Sequence, residues 1–125
     1  MLANQGQAGS AVKLLDPVSA ANTAAATSGW VDVRAAEGDI VFTNQVGAVT
    51  GGIVWTIEHA TDESGTGAAA ITPNEGAYAA VTANTIQKRT VNASAVGGWV
   101  RCVGTITTGP VLVAASIKYH PKYVG

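Results

Sequence analysis

A chain of 125 residues with one cysteine and a formal net charge of −1 suits one domain built on a single core. That charge excludes a binder working through bulk electrostatics on nucleic acid or acidic surfaces, and the lone cysteine excludes an internal disulfide and a four-cysteine zinc site. Charged residues are 12 % of the chain and hydrophobic ones 47 %, where an ordinary soluble domain has about 25 % charged, so the chain folds but has little charge for its surface.

Met1 to Ser10, "MLANQGQAGS", lacks the basic start and apolar run of a signal peptide and reads as a flexible N-terminal arm, with residues 11–125 as the folded domain. No apolar stretch approaches the roughly 20 residues of a membrane helix, so neither an export route nor a membrane partner is expected. Ala11 to Asp16 reads as a short strand stopped by Pro17. Ser19 to Gly29 is alanine-rich but has no apolar stripe at helical spacing, which favours a loop.

From Trp30 onward the pattern is that of strands. Val31 and Val33 alternate with Asp32 and Arg34; Glu37-Gly38-Asp39 reads as a tight turn, and Ile40 to Thr43 as the next strand. Asn44 to Gly52 reads as a loop or a long hairpin tip. Ile53, Trp55 and Ile57 alternate with Val54, Thr56 and Glu58, which places Trp55 in the core. Thr61 to Gly67 and Pro73 to Gly76 are rich in turn residues and flank a short strand at Ala69 to Thr72. Tyr78 to Thr82 and Thr85 to Asn92 read as two more strands. Gly98 to Tyr119 reads as an antiparallel hairpin turning at Thr108 to Pro110, where proline needs no N–H. Short strands separated by turns, with no convincing helix, predict an all-β fold: an antiparallel β-sandwich or a jelly-roll-like barrel.

The closing strands are apolar on both faces. Val100, Cys102 and Ile106 oppose Trp99, Arg101 and Val103; Val111, Val113, Ile117 and Tyr119 oppose Leu112 and Ala114. A lone antiparallel sheet keeps one face polar, so the second face is expected to be covered by loops or by other subunits. Scarce charge favours subunits, as a homo-oligomer with a trimer preferred.

Chemistry-bearing constellations are missing from the sequence. His59 and His120 lack a second ligand at metal spacing, and Ser64 lacks the context of a nucleophile elbow. Asp62 to Ser64 lack the ligand pattern of a calcium loop, and Gly65-Thr66-Gly67 lacks the third glycine and helix of a phosphate cradle. No catalytic residue, metal or cofactor is expected, and Cys102 reads as a small buried hydrophobe. Trp30 and Trp99 have the parity opposite to the core residues and share it with Arg34 and Arg101 respectively. Tryptophan with arginine is a pairing enriched at protein interfaces, against the simpler reading of packing under a loop.

The segments "SGWVDVRAAEGDIVFTNQVGAVTGGIVWTIEHATDESGTGAA" and "AVTANTIQKRTVNASAVGGWVRCVGTITTGPVLVAASIKYHPKYV" resemble a group of small tailed-phage virion proteins, described as capsid decoration, cement or head structural proteins. The shared features are the Gly29-Trp30-Val31-Asp32 strand, the Glu37-Gly38-Asp39 turn, the stretch from Gly47 to Gly65, the segment from Arg101 to Pro110 and the basic-aromatic end. The resemblance covers Gly29 to Tyr123.

The resemblance implies a non-enzymatic protein of the capsid surface, made in the host cytoplasm, that binds the major capsid protein as a symmetric oligomer without a cofactor. On that reading Lys122 and Tyr123, beyond Pro121, contact another subunit or the shell, while Tyr119 belongs to the core. Two other classes fit the residues: a receptor- or glycan-binding module of a phage fibre, stacking sugars on Trp30 or Trp99, and a head–tail connector or tail structural protein.

Overall fold

The computed structural model describes residues 10–20, 25–49, 51–108 and 110–121. They form strands β1 (Ser10–Ala20), β2 (Ala25–Thr27), β3 (Val31–Asp32), β4 (Ala36–Val49), β5 (Gly52–Ala60), β6 (Ala69–Ile71), β7 (Thr85–Asn92), β8 (Trp99–Thr108) and β9 (Val111–Pro121), with a single 3-10 turn at Ala93–Ala95. A four-stranded antiparallel sheet has the order β1-β9-β4-β7; a second has the order β2-β8-β5-β6, with β3 also paired to β8. Taking β2 and β3 as two pieces of one strand along β8, the order is that of an eight-stranded jelly roll, a sandwich that does not close into a barrel.

Alternation builds the core. Ile40, Phe42, Val46, Val91, Val111, Val113, Ala115 and Ile117 from the first sheet face Ile53, Trp55, Ile57, Val100, Cys102 and Ile106 from the second. Trp55 is 2 % exposed and Cys102 fully buried, as their parity predicts. Tyr119 packs against this core from a half-buried position.

Among the described residues, two polar side chains are buried with the apolar ones. Ser28 Oγ accepts the Cys102 N–H at 3.0 Å, and the Ser28 N–H donates to the Cys102 carbonyl at 3.0 Å, tying the segment after β2 to β8. Asn44, on the inner face of β4, accepts the Tyr78 hydroxyl at 2.5 Å. Tyr78 comes from the segment between β6 and β7, which crosses the sandwich edge and touches β5 through paired N–H and C=O groups of Val81 and Ile53.

The structure differs from the sequence reading at several places, with one main cause. Among the described residues, β5 and β6 are the only consecutive strands that pair with each other. Gly98 to Tyr119 is therefore no hairpin: β8 lies in one sheet and β9 in the other, joined by an arch around Pro110. An arch and a hairpin use the same turn residues, but an arch lets Val100, Cys102 and Ile106 meet Val111, Val113 and Ile117 face to face across the core. Likewise Asn44 to Gly52 is mostly strand, since β4 runs to Val49 before the chain crosses to β5.

Local irregularities account for other differences. Pro17 does not end β1; it falls in an edge strand where the pairing with β9 slips between Leu15 and Val18, so its missing N–H breaks no regular ladder. Glu37 to Asp39 is not a separate turn but a bulge inside β4, with Gly38 at φ +76° and a slip against β9 between Glu37 and Val41. Ala25–Thr27 is a strand within the expected loop. Tyr78 to Thr82 is not a strand: Tyr78 and Val81, three residues apart, are the buried pair.

Candidate protein-interaction surface

The outer face of the second sheet gathers four of the residues singled out from sequence. On β8, Trp99, Arg101 and Val103 alternate outward from buried Val100, Cys102 and Gly104. Opposite them β5 presents Ala60, Glu58 and Thr56, paired respectively with Trp99, Arg101 and Val103. On the other side, β3 pairs Asp32 with Trp99 and Val31 with Val100, so Trp30 falls level with Arg101.

That register crosses the expected pairings. The Arg101 guanidinium lies 4.5 Å from the Trp30 ring centroid, and the Arg34 guanidinium 5.4 Å from that of Trp99. The sequence showed each tryptophan sharing parity with the arginine of its own segment. Pairing β3 with β8 exchanges the partners. Both stacks are cation–π contacts, in which the electron-rich indole face attracts the guanidinium.

Each arginine is also neutralised. Arg101 Nε and Nη2 both reach Glu58 Oε1 at 2.7 Å, and both side chains are about three-quarters buried. Arg34 Nε donates to Asp32 Oδ1 at 3.0 Å and Nη2 to Oδ2 at 2.7 Å, while the Arg34 N–H also donates to Oδ1 at 2.9 Å. Hydrogen bonds from Arg34 hold the Asp32 carboxyl below its ordinary range, and Asp32 in turn raises the Arg34 guanidinium. The face is thus aromatic and basic in composition without surplus positive charge.

The turn at Thr61 to Gly67 buttresses Trp30. Asp62 Oδ1 accepts the N–H groups of Ser64 and Thr66, at 2.9 and 3.1 Å, which folds the loop back. Bonds from Thr66 keep the Asp62 carboxyl below its usual range. The loop brings Gly65 against the indole so closely that a Cβ there would sit 2.8 Å from Trp30 Nε1. Nothing in the local sequence announces this contact, because it joins residues 35 positions apart.

Lys122 and Tyr123 lie outside the described residues. His59, at the end of β5, accepts the Gly97 N–H on Nδ1 at 3.0 Å, a structural bond sequence reading did not foresee. Beside the Arg34–Trp99 stack, at the end of the sandwich, a groove of about 420 Å³ is lined by Val33, Arg34, Glu37, Asn92, Ser94 and their neighbours. Among the described residues no group of three or more His, Cys, Asp or Glu side chains is placed to hold a metal ion.

Fold and surface together describe a jelly-roll sandwich with one aromatic, charge-balanced sheet face. No family model matches the chain, and no curated protein matches it. Among solved structures, one described as "Crystal structure of PirA" is similar over 96 % of this chain and 99 % of that one, at 6 % sequence identity and a TM-score of 0.49. A likeness that distant carries no argument about what this chain does.

Proposed function

We propose that the chain is a non-enzymatic structural protein of a phage virion, decorating the head and cementing its shell as a homo-oligomer bound to the major capsid protein. The supporting observation is the outer face of the second sheet, where Trp30, Arg34, Trp99 and Arg101 come together in two stacks with their charges balanced by Asp32 and Glu58. Tryptophan and arginine are the side chains that dominate protein interfaces. Balanced charge favours a protein surface over nucleic acid, whose phosphates call for surplus cations. Apolar area removed from water by docking stabilises the shell at about 25 cal/mol per Å² before the cost of association is subtracted.

The same geometry disfavours the sugar-stacking alternative at Trp30. Arg101 covers the indole and Gly65 crowds its Nε1, so a sugar would have to displace an arginine held by Glu58. The fold is neutral between the readings, since jelly rolls serve capsids and lectins alike. The test is occupancy: particles assembled with a Trp99→Ala variant, quantified by gel densitometry against the capsid band, should carry much less of the protein than wild type. Undiminished occupancy contradicts this surface as the docking site.

A further inference from the structure

β7 is an outer edge of the first sheet, and part of that edge is already occupied. The Thr90 N–H donates to Glu75 Oε1 at 2.7 Å, and the Thr90 carbonyl accepts the Asn74 N–H at 2.8 Å. The Thr90 hydroxyl adds a bond to Glu75 Oε2 at 2.7 Å. Asn74 and Glu75 thereby supply what a neighbouring strand would supply at this position.

Because Thr90 faces outward, the antiparallel pairing with β4 turns the N–H and C=O groups of Lys88 and Ile86 to the same edge. The Lys88 carbonyl is taken by Arg89 Nη1 at 2.9 Å, and that guanidinium lies 5.0 Å from the Tyr78 ring centroid. Among the described residues nothing bonds the Lys88 N–H or either backbone group of Ile86. The Ile86 side chain at this open end is 59 % exposed, the most exposed large hydrophobic among the described residues.

The opposite edge of the same sheet is β1, whose first residues, Ser10 to Lys13, pair in regular register with β9 before the slips begin. The sheet has four antiparallel strands, an even number, so β1 and β7 run in opposite directions. A second copy related by rotation about an axis along the strands therefore brings its β1 antiparallel to β7. Alternation continues across the junction. Such a head-to-tail contact closes into a ring when the rotation allows.

We propose that the β7 edge at Ile86 to Lys88 accepts the β1 edge of a second copy, with Asn74 and Glu75 as a catch that limits how far the pairing extends. This rests on the oligomeric part of the function proposed above and is independent of the capsid, since it is read on the isolated protein. Lys88→Pro removes an outward N–H without breaking a ladder bond to β4. Sedimentation velocity on wild type should show concentration-dependent association, and Lys88→Pro should abolish it with the β-sheet circular dichroism retained. Glu75→Ala, which frees the Thr90 N–H while Asn74 still holds the carbonyl, should tighten association by about tenfold or more. Hydrogen exchange on wild type supplies a readout that survives misfolding of either variant: the Ile86 and Lys88 amides should slow as concentration rises. A wild type that stays monomeric, a well-folded Lys88→Pro that associates normally, a folded Glu75→Ala with unchanged affinity, or Ile86 and Lys88 amides indifferent to concentration overturns the inference. Capsid occupancy, measured separately, bears only on docking to the shell.

Discussion

Replacing Tyr78 with phenylalanine deletes one oxygen and with it the bond to Asn44 Oδ1 at 2.5 Å. Asn44 is fully buried, and its Nδ2 has no protein partner among the described residues, so the variant leaves the amide with no bond at either end. An unsatisfied buried acceptor costs about 1–3 kcal/mol. The aromatic ring remains, so its packing over Arg89 and the core contributes little to the difference. Near the middle of that range, and for a domain of this size, the melting temperature should fall by roughly 8 °C. Thermal unfolding at neutral pH, followed by circular dichroism and calorimetry, reads the shift. Adding Asn44→Leu to the same chain should recover part of the loss, because two apolar partners leave nothing unsatisfied. A fall of less than about 2 °C in the single variant refutes the argument, since it means the Tyr78 hydroxyl contributes no net bond in the core.

Burial pushes the Cys102 thiol from 9.0 up to about 11 and raises the Tyr78 phenol as well. Both hold their protons more tightly folded than unfolded, so their contribution is complete below about pH 9 and declines as pH climbs toward 11; denaturant titrations across that window should show the decline, and Cys102→Ala should make it shallower, leaving the part due to Tyr78. Gly104→Ala would place a methyl group 2.6 Å from Ile53 Cδ1 and 3.1 Å from Trp55 Cζ3, and overpacking of this kind costs about 1–3 kcal/mol. Adding Ile53→Val, which removes Cδ1, should restore part of that in urea unfolding; no recovery would mean the Trp55 ring sets the cost. Arg101→Ala removes both the Glu58 pair and the Trp30 stack, and with the pair partly exposed the loss should be about 1 kcal/mol by the same assay.

Strand identity was legible where parity is unbroken. Thr85 to Asn92 matches β7 to the residue, and the alternation from Ile53 to Ile57 placed Trp55 inside. What the sequence could not reveal was which sheet each strand joins. Period-two alternation marks an inward face without saying whether the next strand pairs beside it or stacks across from it, and the arch before β9 shows the difference. Bulges were hidden for a related reason: Gly38 and Pro17 signal interruption, and only the partner strand decides whether the chain turns or continues. At the candidate surface, parity placed all four side chains outward, but the partners were exchanged because β3 pairs with β8 in a register no local pattern encodes. Glu75 reads from the sequence only as part of the Pro73 to Gly76 turn. Its role depends on Thr90, 15 positions away, and an acidic residue in a Pro-Asn-Glu-Gly turn reads as ordinary solvated polarity.

The central proposal, that this chain is a shell-binding protein of a phage head, is tested most directly by electron cryo-microscopy of phage particles assembled in its presence. The expected result is jelly-roll density on the outside of the capsid at symmetric positions, with the face carrying Trp30, Arg34, Trp99 and Arg101 turned toward the major capsid protein. Density for this fold confined to the tail or its fibres, or none on the particle, would contradict the account.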